Sequence, residues 1–180
     1  RERVLGADHP HTAMSYNNVG SNLHDQGRAV EAETFYRRAL EIAERVLGPD
    51  HPDTATSYNN VGFNLDGQGR AADAEPLLRR ALDIRERVLG ADHPDTATSY
   101  NNVGFNLDAQ GRATEAEPFY LRALEIVERV LGVDHPHTAK SYNNVGFNLD
   151  AQGRAADAEP FYRRALELRA SGGDHHGTEA

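Results

Sequence analysis

Apolar and small side chains recur at helical spacing along much of the chain. In the stretch that begins at Pro94 they occupy positions i, i+3, i+4 and i+7, which form one face of an α-helix. These residues are Tyr100, Val103, Gly104 and Leu107. Proline suits a first helical turn, where its missing N–H has no partner, and Gly111 suits the left-handed residue that ends a helix. The pattern predicts a helix, called helix A, from about Pro94 to Gln110.

A second helical pattern follows after a very short turn. Its inward positions keep a 3.6-residue period; they are Ala116, Phe119, Tyr120, Ala123, Leu124, Val127 and Val130. Pro118 is expected near the first turn, where a lost hydrogen bond costs least. The pattern therefore predicts helix B, which begins no earlier than about Thr114 and ends at Leu131–Gly132.

The helix pair recurs with a period of 42 residues. The motif Leu-Gly-x-Asp-His-Pro begins at Leu5, Leu47, Leu89 and Leu131, and the motifs Ser-Tyr-Asn-Asn-Val-Gly and Gln-Gly-Arg keep the same step. A unit of this size cannot bury its own apolar face, so the constant period indicates a stacked array. The sequence predicts an all-α solenoid of four helix-turn-helix repeats, at residues 5–46, 47–88, 89–130 and 131–169.

The two ends of the chain fall outside complete repeats. Residues 1–4 match the close of a repeat, so they are expected to be the end of a preceding helix B in a longer array. Residues 170–180 lack apolar periodicity and are expected to form a disordered tail. The last helix B is followed by no polar capping helix and is expected to expose Phe161, Ala165 and Leu168. We therefore expect the segment either to continue in its natural context or to pair end to end with another copy.

Small residues are expected to set the distance between the helices. Gly104 on helix A and Ala116 and Ala123 on helix B leave room for close approach of the two backbones. A larger side chain at Gly104 is expected to overpack this contact, at a cost of roughly 1–3 kcal/mol. The equivalent glycines are Gly20, Gly62 and Gly146.

Composition narrows the range of functions. The chain has 180 residues, a formal charge of −9 and no cysteine. The lack of cysteine excludes disulfides and thiolate metal sites, and the negative charge argues against binding to a nucleic-acid backbone. No apolar stretch approaches the roughly 18 residues that cross a bilayer. We therefore expect no cofactor, no nucleic-acid partner and no membrane partner, and we assign the chain to the cytoplasm.

The repeat residues resemble those of the tetratricopeptide repeat. Its small-residue signature is similar to Gly104, Ala116 and Ala123, and its large positions are similar to Tyr100, Leu107 and Tyr120. The 42-residue step, the Leu-Gly-x-Asp-His-Pro loop and the Asn-Asn pair resemble the kinesin light chain class of these repeats, over residues 1–169. The resemblance implies a right-handed α-solenoid whose concave groove, lined by helices A, binds extended peptides of partner proteins.

The family's groove positions correspond to five sets of side chains on helix A. The first asparagine of each pair is expected to face the groove and the second to lie at its edge. These pairs are Asn17 and Asn18, Asn59 and Asn60, Asn101 and Asn102, and Asn143 and Asn144. One turn earlier lie Met14, Thr56, Thr98 and Lys140. One turn later lie Ser21, Phe63, Phe105 and Phe147, and a further turn on lie His24, Asp66, Asp108 and Asp150.

These residue types suit an extended peptide. An asparagine amide both donates and accepts, so it can bind a peptide backbone without reading its side chains. The phenylalanines offer apolar contact, and the aspartates favour arginine or lysine in the ligand. The predicted ligand is therefore a protein segment with apolar anchors and basic residues, bound less well at the first repeat, where Ser21 and His24 replace phenylalanine and aspartate.

Other roles for the same residues remain open. The asparagines can instead fix the stacking of neighbouring helices, the phenylalanines can pack between helices A, and the aspartates can be ordinary solvated charges. The whole chain can also act as a self-assembling or spacer module, or as a sensor arm that regulates an enzyme domain elsewhere in a longer chain.

Motifs with catalytic or metal-binding chemistry have simpler explanations. The Asp-His pairs, such as Asp50-His51, lie in separate loops with too few ligands for a closed metal site, and helix capping accounts for them better. The Arg-Arg pairs, such as Arg37-Arg38, are expected to form ion pairs within helix B, with Glu41 as the partner of Arg37. No nucleophile, base and orienting group converge, so no enzyme activity is expected.

Overall fold

The computed structural model describes residues 9–173, and that range contains eight α-helices. They are α1 (Pro10–Asp25), α2 (Ala29–Leu47), α3 (Pro52–Gly67), α4 (Ala71–Leu89), α5 (Pro94–Ala109), α6 (Ala113–Leu131), α7 (Pro136–Ala151) and α8 (Ala155–Gly173). The odd-numbered helices are the predicted helices A and the even-numbered ones are helices B. The chain divides into two compact halves, Arg1–Ala91 and Asp92–Ala180, and each half holds two complete helix pairs.

The ends predicted for helix A and helix B agree with the ends of α5 and α6 to within one residue. Helix α5 begins at Pro94 as expected, and Gly111 has a φ of +73° in the turn that follows. Helix α6 begins at Ala113, one residue before the predicted limit, so Pro118 lies inside the helix rather than in its first turn. Pro118 is exposed, so the carbonyl group that loses its helical partner can bond to water.

Each helix A starts on a histidine cap. The Nδ1 atom of His51 accepts a hydrogen bond from the backbone N–H of Asp53 at 3.1 Å, and His9, His93 and His135 make the equivalent bond. Capping is therefore confirmed as the role of the histidine in each of these Asp-His pairs. Asp50 instead accepts from Arg80 at 2.9 Å and from Arg87 at 2.6 Å, which ties the loop before α3 to α4.

Helices A and B of one repeat meet over the small residues. A Cβ atom placed on Gly104 would lie 3.0 Å from the ring of Tyr120, and Ala116 and Ala123 are completely buried. The contact is therefore as close as the sequence predicts. The same positions in the N-terminal half bring Gly62 against Leu78.

Polar contacts join the two repeats of the N-terminal half. The Asn64 side chain is fully buried, and its Nδ2 atom donates to the Ala29 carbonyl oxygen at 2.9 Å. Gln68 Nε2 donates to Glu33 Oε2 at 3.0 Å, and Arg70 pairs with the same carboxylate at 2.9 Å. The N-terminal turn of α2 is thereby bonded to α3 and to the turn that follows α3.

The same contacts join the two repeats of the C-terminal half. Asn148 is fully buried and donates to the Ala113 carbonyl oxygen at 2.9 Å. Gln152 and Arg154 bond to Glu117 at 2.9 Å and 2.7 Å. The stacking contact is therefore a repeated structural element with a donor side on the later repeat and an acceptor side on the earlier one.

The structure corrects three expectations about helices B. Helix α8 runs to Gly173, so residues 170–173 are helical, although they were expected to belong to the disordered tail. Extension of a formed helix costs little free energy. Residues 1–8 and 174–180 lie outside the described residues. Ala165 and Leu168 are buried and Phe161 is half-buried, whereas Leu166 is the large apolar side chain that is exposed among residues 155–170 of α8. Arg37 pairs with Glu33, one turn earlier, in the more favourable Glu-to-Arg order.

Candidate functional site

A cleft of about 340 Å³ lies on the helix A side of the N-terminal half. It opens between α1 and α3 and is closed below by the last turns of α2. Its lining residues are Pro10, His11, Ala13, Met14, Asn17, Ala43, Leu47, Asp53, Thr56 and Ser57. Apolar groups dominate this lining, while Asp53 and His11 place polar atoms beside them. Such a surface suits an apolar side chain with a polar or charged neighbour.

The first asparagines of the pairs link helices or hold an arginine. Asn17 Nδ2 donates to Ser57 Oγ at 3.3 Å, and the Asn17 Oδ1 atom is buried without a hydrogen-bond partner. Asn101 Oδ1 accepts from Asn144 Nδ2 at 3.1 Å. When its oxygen faces the guanidinium of Arg169, the Asn143 amide accepts two hydrogen bonds from that group. Asn59 is half-buried like the other three.

The second asparagines and the phenylalanines differ in exposure. Asn60, Asn102 and Asn144 are half-buried. Phe63, Phe105 and Phe147 remain 48%, 54% and 65% exposed, although the ring of Phe63 lies 5.1 Å from that of His24. About half or more of each phenylalanine side chain is therefore available for contact with another molecule.

The three aspartates have partners within the protein or lie half-buried. Asp108 Oδ1 accepts from Asn148 Nδ2 at 2.8 Å, and Asp150 accepts from the Tyr162 hydroxyl at 2.9 Å. Asp66 is half-buried. Burial raises the pKa of the Asp108 carboxyl, although its contacts with Asn148 and Tyr120 act in the opposite direction. At neutral pH the native state therefore carries a carboxylate that is costly to keep charged.

We expect Asp108→Asn to raise the free energy of unfolding at neutral pH. The amide keeps an oxygen that accepts from Asn148 but carries no charge to desolvate. Because the folded pKa of Asp108 is raised, the native state binds its proton more tightly than the unfolded chain, and the wild type gains stability at this site as the pH falls. Urea titrations from neutral to acid pH should therefore show the advantage of the variant shrinking. An advantage that stays constant with pH contradicts this account.

The buried asparagine of the stacking contact is absent from the predicted site residues. Asn64, Asn106 and Asn148 are completely buried, whereas the predicted groove asparagines are only half-buried. Ser57, Val61 and Asn64 follow a second i, i+4, i+7 stripe on helix A, distinct from the stripe that packs on helix B. Only one of these three residues is apolar, so the stripe gives no apolar periodicity in the sequence.

Three of the positions that line the cleft differ between the repeats. The helix A position of Met14 holds Thr56, Thr98 and Lys140 in the later repeats, and the helix B position of Ala43 holds Arg85, Val127 and Arg169. The third position is that of His11, which is Asp53, Asp95 and His137 elsewhere. The surrounding Thr-Ala and Ser-Tyr-Asn-Asn segments are identical in all four repeats. The scaffold is thus constant, while the side chains that give the cleft its chemistry change.

Arg85 shows how one of these changes is accommodated. Its side chain is buried, and Nη2 donates to Thr56 Oγ1 at 3.1 Å. The alanine that stands at this position in the first repeat leaves space for the cleft between α1 and α3. The residue at the Ala43 position therefore decides how much space is left and which charge is present at this place in each repeat.

Sequence comparison identifies the family. The model of the tetratricopeptide repeat matches three overlapping stretches, residues 11–87, 65–117 and 95–171. The chain belongs to the tetratricopeptide repeat (TPR) family. No curated protein sequence matches the chain significantly.

Solved structures with the same fold include several repeat proteins. The nearly identical TPR-like repeats of a Podosopora anserina protein classed with the kinesin light chains superpose with a TM-score of 0.77 at 20% identity, over 94% of this chain and 80% of that one. BtubC (BKLC) from P. vanneervenii gives 0.82 at 23% identity, over 96% and 68%. A Rap protein complexed with Competence and Sporulation Factor gives 0.78 at 18% identity, over 89% and 43%.

These neighbours confirm the predicted fold class and the resemblance to TPR arrays of the kinesin light chain-like class. TPR repeats generally serve as scaffolds for protein–protein interaction and are generally not enzymes. In the described part of the chain, no helix has both the length and the apolar character needed to span a bilayer.

Proposed function

We propose that the protein is an interaction scaffold that binds an extended peptide segment of a partner protein on the surface of its helices A. The observation that supports this most directly is the cleft between α1 and α3, where apolar side chains, an exposed carboxylate and an asparagine amide meet. The apolar part accepts an anchoring side chain of the peptide. The amide bonds to the peptide backbone on either side of that anchor.

An extended ligand fits the spacing of the exposed apolar groups. In the N-terminal half Met14 and Phe63 stand on neighbouring helices A, with 53% and 48% of their surface exposed. Phe105 and Phe147 take the Phe63 position in the C-terminal half. Each helix A therefore offers an exposed apolar contact, and within each half a peptide that runs across both helices A can use two of them.

The charges in the cleft favour a basic residue next to the apolar anchor in the N-terminal half. The Asp53 side chain is 74% exposed at the cleft, and no basic residue lines it apart from His11. Asp108 and Asp150 already accept hydrogen bonds within the protein. We therefore attribute the preference for arginine or lysine mainly to Asp53, with the three groove aspartates adding to the negative potential.

Asn17 is the residue that makes backbone recognition possible in this cleft. Its Nδ2 atom bonds to Ser57, while its Oδ1 atom has no partner. A buried oxygen without a hydrogen bond is costly, so rotation of the amide to accept from a peptide N–H is favourable. Asn59, Asn101 and Asn143 carry the same amide in the later repeats, where the Asn101 oxygen already accepts from Asn144 and the Asn143 amide from Arg169. Asn60, Asn102 and Asn144 flank them.

Met14→Glu is expected to weaken peptide binding by at least a factor of about ten. Peptides are first selected from a random display library against the 180-residue protein, and their dissociation constants are then measured by fluorescence anisotropy. Selection should enrich an apolar residue next to arginine or lysine. A buried methionine-sized contact contributes about 1.5–3 kcal/mol, which corresponds to a tenfold effect or more.

The matched control is Val30→Glu, which places the same charge on an exposed apolar residue of helix α2 that does not line the cleft. This variant should bind the selected peptides like the wild type. Equal loss of binding in both variants, or a selection that enriches no peptide over a scrambled library, contradicts the proposed function.

A further inference from the structure

The side chain of Met14 carries the only sulfur atom in the chain, which has one methionine and no cysteine. Met14 stands on α1, one turn before Asn17, and lines the cleft between α1 and α3. It is 53% exposed. An oxidant that reacts with sulfur therefore has a single target in this sequence, and that target lies in the cleft.

The exposure of Met14 is a property of its position in the repeat. The equivalent residues Thr56, Thr98 and Lys140 are exposed as well. Thr56 and Thr98 belong to the second and third repeats, which have a repeat on either side in the sequence, so the ends of the chain do not account for exposure at this position. Threonine and lysine contain no thioether, and only the first repeat can therefore be oxidised here.

The groups around Met14 make one side of the cleft apolar. Ala13, Ala43 and Leu47 line the cleft together with the thioether. A peptide side chain that enters between them buries apolar surface against the sulfur and its neighbouring methylene groups. The Met14→Glu substitution removes this same contact, and any change that makes the thioether polar is expected to act in the same direction.

The polar side of the cleft has no donor ready for a new acceptor. Asn17 Oδ1 is already buried without a hydrogen-bond partner. Asn17 Nδ2 donates to Ser57 Oγ, and Thr56 Oγ1 donates to the Pro52 carbonyl oxygen. A sulfoxide oxygen on Met14 is therefore left to water, and an apolar ligand group that displaces this water leaves the oxygen unpaired, at a cost in affinity.

We propose that oxidation of Met14 by a peroxide switches off peptide binding at the cleft and that reduction of the sulfoxide restores it. With hydrogen peroxide, the sulfur lone pair attacks one oxygen, so that an S–O bond forms and the O–O bond breaks. The hydroxide that leaves takes the proton of the transferred oxygen and becomes water, while sulfur is oxidised and the peroxide is reduced. This inference rests on the proposed function, because the binding that it controls is that of the peptide.

The fold is expected to tolerate the sulfoxide. The buried residues of α1 are Thr12, Ala13, Gly20 and Leu23, and Met14 is not among them. A change at an exposed side chain outside the core has little effect on stability. The oxidised protein should therefore keep its helical circular dichroism spectrum and its free energy of unfolding, and lose affinity for the peptide only.

The test uses peptides selected against the untreated 180-residue protein. Hydrogen peroxide is added until the intact mass has increased by one oxygen atom, and mass spectrometry of proteolytic fragments locates that oxygen on Met14. The dissociation constant is expected to rise by a factor of about ten or more, because the anchor loses its apolar contact. The two methionine sulfoxide reductases, one for each epimer, should return it to its starting value.

Met14→Leu is the matched control, since leucine has a similar volume and contains no sulfur. Each protein is measured with and without peroxide, and the two dissociation constants of the same protein are compared as a ratio, whatever its own affinity. Peroxide should leave this ratio unchanged in the leucine variant, which keeps His11 and every other cleft residue. A variant as sensitive as the wild type places the damage elsewhere and overturns the inference.

The remaining outcomes separate this inference from the proposed function. A Met14 sulfoxide that binds the peptide as tightly as the thioether overturns the inference alone, as does a loss of binding that the reductases do not reverse or that comes with a loss of helix. A selection that enriches no peptide is the failure of the proposed function, is recognised before any oxidant is added, and removes the inference with it.

Discussion

Asn148→Ala is expected to lower the free energy of unfolding by about 2–4 kcal/mol. The substitution removes the donor to the Ala113 carbonyl oxygen and to Asp108, and it leaves a hole where a fully buried side chain stood. A buried acceptor left unpaired costs about 1–3 kcal/mol, and the cavity adds to that cost. Chemical denaturation followed by circular dichroism measures the change.

Asn22→Ala is the matched control, because the same residue stands at the same repeat position but is exposed. Surface substitutions of this kind change stability by about 0.5 kcal/mol or less. If both alanine variants lose the same stability, the buried amide does not hold the repeats together, and the stacking contact rests on apolar packing instead.

The helices and their ends could be predicted from the sequence because local signals specify them. Pro94 fits the first turn of α5, Gly111 has the left-handed conformation that ends it, and the 3.6-residue period marks the sides that pack within a repeat. The close contact of Gly104 with Tyr120 follows from residue size alone. Each of these features involves residues that lie within one 42-residue repeat.

Contacts between repeats were harder to predict. Helix A packs on its own helix B and also on the preceding repeat, but the second side contains Ser57, Asn64 and Gln68, which give no apolar period. Leu166 was not among the residues expected to be exposed, yet it is 69% exposed on α8, whereas Ala165 and Leu168 are buried.

The candidate site is predicted in part by the sequence. Met14 and Asn17 were assigned to the helix A surface and line the cleft, together with Thr56 of the next repeat. Ala43, whose small size leaves the cleft open, lies on helix B and could be found only by aligning the four repeats and asking where they differ. The asparagine, phenylalanine and aspartate positions stay predictions, which the peptide selection tests.

Gly104→Val is expected to lower the free energy of unfolding by about 2–3 kcal/mol. A Cβ atom at this position lies 3.0 Å from the Tyr120 ring, and the two additional methyl groups of valine increase the overlap. Overpacking of a buried contact costs about 1–3 kcal/mol. Tyr120 is itself buried, and its hydroxyl lies beside Asp108, so the ring has little freedom to move away. Denaturant titration of the purified variant gives the change.

Ala109→Val separates the packing cost from the helix propensity of valine, because Ala109 is exposed on the same helix. Valine costs less than about 0.7 kcal/mol relative to alanine within a helix, and relative to glycine it favours the helix. A loss at Gly104 larger than the loss at Ala109 therefore measures the close approach of helices α5 and α6. Equal losses at the two positions show that the Tyr120 ring yields to the new side chain, and glycine is then not required for the helix contact.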